Sequence, residues 1–569
     1  MLIELRQEIR KNENVKTKNS TQSINISVFS NYSLDLVPNI SQILINQITT
    51  MFRQLARPAN SRYMRTWLAR LQSTVATTEL PPETIKIVPS VADLTQPDHV
   101  AKDFEGSLVA HLLNRNLVES LTSDDLYALT EPGAQKLKLY CGADPSASSL
   151  HLGNLLPLMV LLHFTLRGHD VVGLVGGATG AVGDPSGRQT ERDEMDANQR
   201  ESNVDIIQKQ ILDFLKGGIE YAKLRNIDVS QDGSKIGNVE SVNNAEWWKD
   251  IKLLDFLATY GRHIRVSQML ARDSILSRLE SQLGIGFNEF TYQILQAYDF
   301  WHLFKNRGVN VQVGGNDQWG NITAGTDLIS RIQRHFGGIY KDNKEAPAYG
   351  MTVPLLTTPS GQKFGKSAGN AVFISSKLTT PFQMFQFFIN AQDEMVAKLL
   401  KVLTLIPLDV IEGTILPQHS EDPGLRIAQR ILAREVVDLI HGPGIGDEMA
   451  YITSFLFPTP DQPFDDEITA SKLISKFSKS GIMQTVSLSQ FPDANDIKMS
   501  TLLSVIFDKS KNETKNLIKA GGVYFGIDRD QFVDPDDVVL FDRTNHLIDG
   551  QLLLVRAGKQ KYHVVNITD

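Results

Sequence analysis

The chain has almost no cysteine, no long apolar run and no excess of positive charge. Each of these deficits excludes a class of protein or of site. Its 569 residues contain a single cysteine, Cys141, which excludes an intramolecular disulfide and a zinc site built on cysteine clusters. No uninterrupted apolar run approaches the roughly 20 residues of a membrane-spanning helix, so no membrane insertion is expected. Because the net charge is -8, the surface as a whole does not suit nucleic acid, and any RNA contact must be local.

The N-terminal segment lacks negative charge. Between Asp35 and Glu79 there is no acidic residue, while arginines are spaced among apolar and hydroxyl side chains. This composition is typical of a mitochondrial transit segment and predicts the mitochondrial matrix as the location. We therefore predict an N-terminal extension over residues 1–78 whose targeting part starts at Met51, the suspected true start of translation. A basic tail on a cytosolic protein is the alternative.

From about residue 104, helix and strand patterns alternate. The run LKLYCGAD predicts a strand and is followed by the long apolar helix of SASSLHLGNLLPLMVLLHFTLRGH. The run DVVGLVGGATGAVGDPSG then predicts a buried strand that breaks into a glycine-rich loop. Such alternation predicts an α/β, Rossmann-like catalytic domain over residues 104–380, with a parallel sheet and ligand sites at the carboxyl ends of its strands.

Composition divides the rest of the chain. Residues 216–245 and 335–348 are polar and rich in Gly, Asp and Asn, which predicts two surface insertions. Residues 381–457 show helix patterns without strand patterns and predict an α-helical domain. Residues 458–483 contain prolines and acids and predict a linker. Residues 484–569 predict a small α+β domain.

Two short motifs carry the chemistry. The segment His151-Leu152-Gly153-Asn154 lies where a predicted strand turns into a helix, so that backbone amides and the helix dipole attract phosphate, and Gly153 leaves room for a nucleotide base. The segment Lys363-Phe364-Gly365-Lys366-Ser367 lies in a glycine-rich loop, where mobile lysines can stabilise charge that builds on a leaving pyrophosphate. Taken alone, the first suits an ordinary helix cap and the second a solvated turn.

The surrounding sequence raises the specificity of both motifs. The run YCGADPSASSLHLGN resembles the first signature of tyrosyl-tRNA synthetases, a class I aminoacyl-tRNA synthetase family, and KFGKS resembles the second. The runs GLVGGATGAVGDPSG, TYQILQAYDF and VQVGGNDQWGN follow in the family's order. Ala143 stands where the family often has an aromatic residue, and Asn154 replaces a histidine. The resemblance extends from about residue 104 to the end, the two predicted insertions excepted.

The resemblance implies an enzyme that activates L-tyrosine with ATP and then transfers tyrosine to tRNA-Tyr for mitochondrial translation. The residues implied in catalysis are His151, Asn154, Lys363, Lys366 and Ser367. Those implied in tyrosine binding are Tyr140, Asp184, Tyr292, Gln296, Asp299 and Gln318. Those implied in ATP binding are Cys141, Asp144, Ser146, Gly153, Gly315, Asp317, Leu355, Leu356, Arg188 and Arg192. Mg²⁺ is expected with the ATP phosphates, without a dedicated metal site.

The residue pattern agrees with the tyrosine set. Tyr292, Gln296 and Asp299 are separated by four and three residues, so all can face one pocket from a single helix. By resemblance, Tyr140 and Asp299 hold the substrate's phenol, and a site with a buried donor and acceptor for a hydroxyl rejects phenylalanine, which leaves both unpaired. These two residues favour tyrosine over tryptophan, whose synthetase is the nearest enzymatic alternative.

The C-terminal domain has its own motif. The run DKSKNETKNLIKAGGVYFG predicts a helix, a Gly-Gly turn and a short strand, and LLLVRAGKQKYHVV predicts a closing basic hairpin. Both resemble a small RNA-binding module of ribosomal and pseudouridine-forming proteins. Lys511, Lys515 and Lys519 recur every four residues and predict an RNA-binding stripe on one helix face. A merely solvated face is the alternative.

Three further expectations come from the resemblance. The helical domain 381–457 is expected to bind the anticodon. A homodimer is expected, with the helices between about 270 and 345 as its interface. A second role in binding structured intron RNA, located on the insertions, stays open as the alternative function.

Overall fold

The computed structural model describes residues 89–569 except 187–194, 228–235, 281–283, 337–345, 358–365, 368–369, 459–463, 465, 494–495 and 559–560. Lys86–Asp569 form one compact unit. The predicted extension 1–78 and the predicted start at Met51 lie outside the described residues. Within the described ranges, no helix combines the length and the apolar character needed to cross a bilayer.

A six-stranded sheet positions the site. Its strands are β1 (Ser120–Leu121), β2 (Lys138–Ala143), β3 (Asp170–Val175), β4 (Val239–Asn243), β5 (Val311–Gly315) and β6 (Tyr349–Val353). They lie in the order β1-β6-β5-β2-β3-β4, and all neighbours are parallel except β1, which is antiparallel to β6. The chain runs from β2 outward to β4 and then returns to β5 on the other side. This reversal opens a crevice between the carboxyl ends of β2 and β5.

Helices cover both faces of this sheet. They are α1 (Val91–Leu94), α2 (Pro97–Asp103), α3 (Leu108–Asn114), α4 (Asp125–Leu129), α5 (Leu152–Leu166), α6 (Ala197–Leu224), α7 (Ala245–Trp248), α8 (Leu253–Thr259), α9 (Val266–Leu270), α10 (Asp273–Leu279), α11 (Phe287–Arg307) and α12 (Trp319–Phe336). Leu139 and Cys141 of β2 pack in one core with α5 and α6, whereas Tyr140 packs in a second core with α11 and α12. The predicted α/β, Rossmann-like class is confirmed.

The helical region follows the crevice. Its helices are α13 (Pro381–Ile389), α14 (Asp393–Leu403), α15 (Leu408–Val410), α16 (Leu416–Glu421), α17 (Ile427–His441) and α18 (Ile445–Leu456), with a π-helical turn at Ile411–Ile415. Thr380 begins α13 with a capping box, because its hydroxyl accepts from Gln383 N and Gln383 accepts from Thr380 N. All regular structure between residues 381 and 457, each of which is described, is helical.

The C-terminal region contains a five-stranded sheet with helices packed on both faces. Its elements are α19 (Ala470–Phe477), β9 (Met483–Ser487), α20 (Met499–Phe507), α21 (Lys511–Lys519), β10 (Val523–Phe525), β11 (Asp530–Phe532), α22 (Arg543–His546), β12 (Leu552–Ala557) and β13 (Lys561–Thr568). The strands lie in the order β11-β10-β12-β13-β9. Gly521 joins α21 to β10 at a φ of +66°, which favours glycine. On one of these faces, Leu552, Leu554 and Val564 share a core with the helical region.

Two short strands complete the secondary structure. They are β7 (Lys366–Ser367) and β8 (Asn370–Ala371), which pair in antiparallel orientation. They frame the part of the predicted KFGKS loop that is described.

The prediction of a surface insertion over residues 216–245 is wrong for its described part. Helix α6 continues to Leu224, and residues 239–243 form β4, the edge strand that pairs with β3. The polar composition misled because an edge strand is half exposed and because residues just after β4 line a pocket. The second predicted insertion, 335–348, lies mostly outside the described residues. Its base is closed where Gln333 donates to Ala346 O at 2.9 Å.

Two predicted boundaries also need correction. Packed structure begins before residue 104, since Arg115 of the predicted catalytic domain and Asp103 of α2 pair at 3.3 Å and Leu94 is buried. The predicted linker 458–483 includes α19, whose Leu473 and Phe477 are buried, and the first residue of β9. Its prolines and acids lie before residue 468, so composition described only its first part.

Candidate active site and RNA-binding face

Asp144 occupies the crevice at the carboxyl end of β2. Its carboxylate accepts hydrogen bonds from Tyr292 Oη at 2.8 Å and from Thr179 Oγ1 at 3.2 Å. A Cβ on Gly176 would lie 2.2 Å from Asp144 Oδ1, so the chain needs glycine there. Burial, and then the charges of Asp144 and Asp184, raise the pKa of Tyr292 well above its usual value. Asp144, which is predicted to bind ATP, therefore accepts a hydrogen bond from Tyr292, which is predicted to bind tyrosine.

The two residues predicted to hold a phenol lie on the α11 side of the sheet. Tyr140 of β2 is only 1% exposed, and its hydroxyl has no hydrogen-bond partner among the described residues. Burial, and then the negative charge of Asp299, raise the pKa of Tyr140 well above its usual value. Asp299 on α11 is equally buried. The pair predicted to hold a phenol therefore combines an unpartnered hydroxyl with a buried carboxylate.

Three N–H groups hold the Asp299 carboxylate. Trp247 Nε1 and Trp248 Nε1 donate to Oδ1 at 2.8 and 2.7 Å, and Asn244 Nδ2 donates to Oδ2 at 2.9 Å. Burial raises the pKa of Asp299 to about 7, while these three hydrogen bonds act in the opposite direction. The side chain is fixed in position before any substrate binds.

These three donors were missed by the sequence prediction. Asn244, Trp247 and Trp248 follow β4, inside or directly after the segment that was predicted to be an insertion. The run VESVNNAEWW contained a signal, because two adjacent tryptophans are unusual in a solvated loop and a buried indole N–H needs an acceptor. That acceptor is a carboxylate on a helix more than 50 residues away, which no local pattern identifies.

A second polar network joins three residues predicted to bind tyrosine, Asp184, Gln296 and Gln318. Gln318 Nε2 donates to Asp184 Oδ2 at 2.7 Å. Asn321 Nδ2 donates to both Gln318 Oε1 and Gln296 Oε1 at 3.1 Å. Asn321, which was not predicted, is buried on α12 and joins the three predicted side chains. Its position one helical turn after Gln318 is the only local signal for it.

The HLGN segment caps α5. Gly153 N donates to His151 Nδ1 at 3.0 Å, and His151 N donates to Asn154 Oδ1 at 3.1 Å. Because Nδ1 accepts, the neutral imidazole carries its proton on Nε2 and is a donor there. The oxygen of Asn154 is likewise engaged in the cap, so its NH₂ group is the part that can donate. A Cβ on Gly153 would lie 2.9 Å from His151 Cε1. Glycine at this position therefore also leaves room for the His151 ring.

The two signatures meet through the backbone. Leu152 N donates to Val372 O at 3.0 Å, and Ile374 N donates to Leu150 O at 3.0 Å. Residues 372–374, which follow KFGKS in the chain, therefore pair with the segment that enters α5. Lys366 and Ser367 form β7, which pairs with β8.

The remaining residues predicted to bind ATP either lie beside the crevice or have buried side chains. Gly315 ends β5 across the crevice from Asp144, and Asp317 follows it. A Cβ on Gly315 would lie 2.6 Å from Asp317 Oδ1 and 4.0 Å from Leu355 Cδ2. Ser146 N donates to Asp144 O at 2.8 Å. The side chains of Cys141 and Leu356 form the second group, because both are buried. Burial raises the pKa of the Cys141 thiol to about 12, so it is neutral.

Three of the four Lys and Arg residues predicted for the active site, Arg188, Arg192 and Lys363, lie outside the described residues. Among the part of the chain that is described, no group of three or more His, Cys, Asp or Glu side chains could hold a metal ion.

The RNA-binding stripe is only partly open. Ser510 caps α21, while Thr514 and Ile518 bury its other face. Lys511 and Lys519 are exposed. Lys515, between them, is paired with Asp537 at 2.9 Å. The three lysines do share one helix face, but the middle one already has Asp537 as its partner.

Comparison with known proteins identifies relatives over most of the chain. The family model of class I tRNA synthetases (W and Y) matches residues 132–457. The mitochondrial tyrosine–tRNA ligase of Saccharomyces cerevisiae is 45% identical over 462 residues, which cover 81% of this chain and 89% of that one. The chloroplastic/mitochondrial tyrosine–tRNA ligase of Arabidopsis thaliana is 39% identical over 472 residues, covering 82% and 84%.

Solved structures agree with the sequence relatives. The crystal structure of a C-terminally truncated mitochondrial tyrosyl-tRNA synthetase from Aspergillus nidulans is 32% identical with a TM-score of 0.56, covering 64% of this chain and 99% of that one. The corresponding structure from Coccidioides posadasii is 32% identical with a TM-score of 0.53, covering 68% and 99%.

Proposed function

The chain belongs to the class I tRNA synthetases for tryptophan and tyrosine, and from this premise we propose how its residues carry out the reaction of a tyrosine–tRNA ligase. The enzyme activates L-tyrosine with ATP to tyrosyl-adenylate and pyrophosphate, and then transfers tyrosine to tRNA-Tyr. Its relatives include mitochondrial ligases, and the protein is mitochondrial. We propose the matrix as its compartment.

The phenol pocket carries the choice of tyrosine. Tyr140 offers a buried hydroxyl without a partner among the described residues, and Asp299 offers a carboxylate held by three N–H donors. A substrate hydroxyl can donate to Asp299 and accept from Tyr140. Phenylalanine leaves both groups buried and unpaired, and tyrosyl-tRNA synthetases are the standard case of this discrimination. Tryptophan has no hydroxyl to place there.

The activation step needs no covalent enzyme intermediate. The tyrosine carboxylate attacks the α-phosphorus of ATP, an oxygen–phosphorus bond forms, and the bond to pyrophosphate breaks. We assign His151 Nε2–H and the Asn154 amide as donors to the phosphates, with Lys363, Lys366, Ser367, Arg188 and Arg192 as further members of the set. Such groups accelerate the step when they bind the developing charge more strongly than the ground state. Asp184, Gln296 and Tyr292 hold the substrate's ammonium.

Magnesium accompanies ATP in this proposal as part of the substrate. The described acids of the site, among them Asp144 and Asp317, do not form a three-ligand cluster. Mg²⁺ retains its own waters and binds phosphate oxygens readily, so it needs no protein cage.

Transfer to tRNA involves the rest of the chain. We propose that residues 104–380 are the catalytic domain, that 381–457 bind the anticodon, and that 484–569 bind RNA through the α21 face. Lys511 and Lys519 are the exposed cations of that face. Lys515 joins them only when RNA displaces Asp537.

We also propose a homodimer. Large hydrophobic side chains are exposed on α8 to α11 and at the end of α12, at positions where a monomer gains nothing from them. They are Leu253, Leu254, Leu257, Val266, Leu270, Leu276, Leu279, Phe287 and Phe336. Phe287 is 81% exposed. This surface begins earlier than the predicted interface of 270–345.

No observation on the described residues favours the alternative role in binding intron RNA. One of the two segments predicted to carry it, 216–245, contains the end of α6 and the whole of β4. Asn244 at its end holds Asp299 and is thereby part of the tyrosine pocket.

The decisive experiment is amino-acid-dependent ATP–pyrophosphate exchange with the purified chain. We expect exchange with L-tyrosine and none above background with L-phenylalanine or L-tryptophan at the same concentration. Charging of tRNA-Tyr with labelled tyrosine should follow in the same preparation. Exchange supported by tryptophan, or exchange that does not distinguish tyrosine from phenylalanine, would contradict the assignment.

A further inference from the structure

Helix α6 connects two distant parts of the molecule. It contains 28 residues, which corresponds to a length of about 42 Å. Its N-terminus follows Asp184 and Ser186 in the chain, and its C-terminus reaches the helical region. The reaction proposed above does not use α6 itself.

The N-terminal half of α6 holds the backbone around the nucleotide site. Asn203 is 1% exposed, and its Nδ2 donates to Pro145 O at 3.1 Å, directly after Asp144. Gln210 Oε1 accepts from Leu150 N at 2.9 Å, and its Nε2 donates to Ser149 Oγ at 3.2 Å. These contacts support both ends of the segment between Asp144 and His151.

The C-terminal end of α6 is fastened to α17 by a buried ion cluster. Arg225 Nε donates to Glu435 Oε2 at 2.6 Å, and Arg225 Nη2 donates to Asp438 Oδ2 at 2.7 Å. Tyr221 Oη donates to the same Glu435 oxygen at 2.5 Å, and Arg434 pairs with Glu435 Oε1 at 3.0 Å. Two cations and two anions balance in a space almost closed to water.

Close packing prevents α6 from sliding between these attachments. A Cβ on Gly218 would lie 2.6 Å from Leu162 Cδ2 of α5, and a Cβ on Gly173 of β3 would lie 2.4 Å from Ile211 Cγ2. Both glycines therefore bring α6 against the elements that form the site. Buried ion pairs require specific geometry, because a displaced charge loses its partner without regaining water. The helix and its two attachments are thus suited to move as one body.

We propose that α6 is a strut that holds the nucleotide-site turn in register with the helical region, and that Tyr221, Arg225 and Glu435 are positioning residues for transfer of tyrosine to tRNA. The inference rests on the proposed function, since it takes the helical region as a tRNA-contacting part. Activation uses only small substrates and tolerates a loosened strut. Transfer requires the tRNA end to meet the adenylate while the tRNA body is held on α13 to α18.

The test compares two steps in the full-length chain. In Glu435→Gln, the rate of tyrosine transfer from preformed tyrosyl-adenylate to tRNA-Tyr should fall roughly 2- to 30-fold, the range for residues that carry coupling between sites. Pyrophosphate exchange and the tRNA KM should change by less than about twofold. Tyr221→Phe removes one hydrogen bond and keeps the ion cluster, so it should show a smaller loss of the same kind and folds even if Glu435→Gln does not.

Glu220→Gln is the matched control. It lies on the same helical turn in an exposed pair with Lys223, and its transfer rate should equal that of the unmodified chain. A parallel fall of exchange and transfer in Tyr221→Phe would show a general distortion and overturn the proposal, as would unchanged transfer. Failure of the unmodified chain to charge tRNA-Tyr would instead contradict the proposed function.

A double-mutant cycle tests whether the two ends act through one body. Asn203→Ala and Tyr221→Phe are separated by about 27 Å along the helix, a distance at which independent effects on rate multiply. A combined loss of transfer that departs from the product of the single losses supports the strut. Simple multiplication would overturn it.

Discussion

The proposed tyrosine pocket and the α21 face both contain charged side chains. In the pocket the charge is buried, whereas on the α21 face it is exposed. Asp299 is buried and already holds three N–H donors, whereas Lys511 and Lys519 are exposed. A buried charge is expensive to misplace and is little affected by salt, while an exposed charge contributes little alone and is screened. Substitutions should therefore have large, salt-independent effects in the pocket and small, salt-dependent effects on the RNA-binding face.

The largest effect is expected for Asp299→Ala. Removing a charged partner from a buried hydrogen-bonded set costs about 2–5 kcal/mol, so kcat/KM for tyrosine in exchange should fall by about 30- to 4,000-fold. Stability should fall as well, because Asn244, Trp247 and Trp248 lose their acceptor. Exchange kinetics and thermal unfolding measure the two losses. Undiminished preference for tyrosine over phenylalanine would show that Asp299 does not recognise the phenol.

Tyr140→Phe should separate activity from stability. The hydroxyl has no described partner in the free protein, so its removal should leave stability unchanged or raise it by about 1 kcal/mol, because a buried unpaired group disappears. The same change should lower kcat/KM for tyrosine by about 2- to 12-fold, since the substrate loses one hydrogen bond. A fall in melting temperature would contradict the view that this group waits for substrate.

The raised pKa of Asp299 predicts an acid limit for tyrosine binding. With the pKa at about 7 in place of 3.8, the folded protein retains a proton that the unfolded chain releases between about pH 4 and 7. This carboxyl's contribution to stability therefore decreases as pH rises through that window. Its charged form predominates only above about pH 7, so the KM for tyrosine should increase about tenfold from pH 8 to pH 6.

Asp299→Asn is the control for this pH profile. It keeps the shape of the side chain without a titrating group, so its tyrosine KM, although higher, should be flat across the same range. An unchanged slope in this variant would assign the pH dependence to another group.

The smallest effects belong to the RNA-binding face. Lys511→Gln with Lys519→Gln should lower the magnitude of the salt slope of tRNA binding by about 1.5, because each lost phosphate contact releases roughly 0.7–0.9 fewer counterions. Lys515→Gln should change the slope less, since Asp537 already pairs with Lys515. Binding measured across a series of salt concentrations gives these slopes.

Asp537→Asn provides the opposing variant. It frees Lys515 and should tighten tRNA binding modestly, by no more than the roughly 1 kcal/mol of an exposed ion pair. Weaker binding in this variant would show that Asp537 supports the RNA-binding face and does not compete with phosphate.

The predictable features were those with local signals. The strand that ends at Ala143, the apolar helix α5 and the HLGN cap are each built from contiguous residues, so their pattern survives in sequence. The Gly-Gly turn after α21 is local in the same way. The predicted fold class was confirmed for that reason, while the individual roles of the site residues stay predictions.

The pattern of residues could not predict contacts between side chains that are far apart in the sequence. Several contacts depend on how separate elements pack in the folded chain. They are those of Trp247 and Trp248 with Asp299, of Asn321 with Gln296, and of Lys515 with Asp537. Polar composition alone predicted an insertion at 216–245, where the chain forms a strand and the wall of a pocket.

The amino-acid sequence by itself established the alternation of helices and strands, the order of the two signatures and the chemical types needed to activate tyrosine. Tertiary structure alone decided that Asp144 accepts from Tyr292, that three N–H groups hold Asp299, and that α6 contacts both the segment after Asp144 and the helical region. The physical reason is that periodicity and capping act within a few residues, whereas burial and pairing of polar groups are properties of surfaces that meet only after the chain has folded.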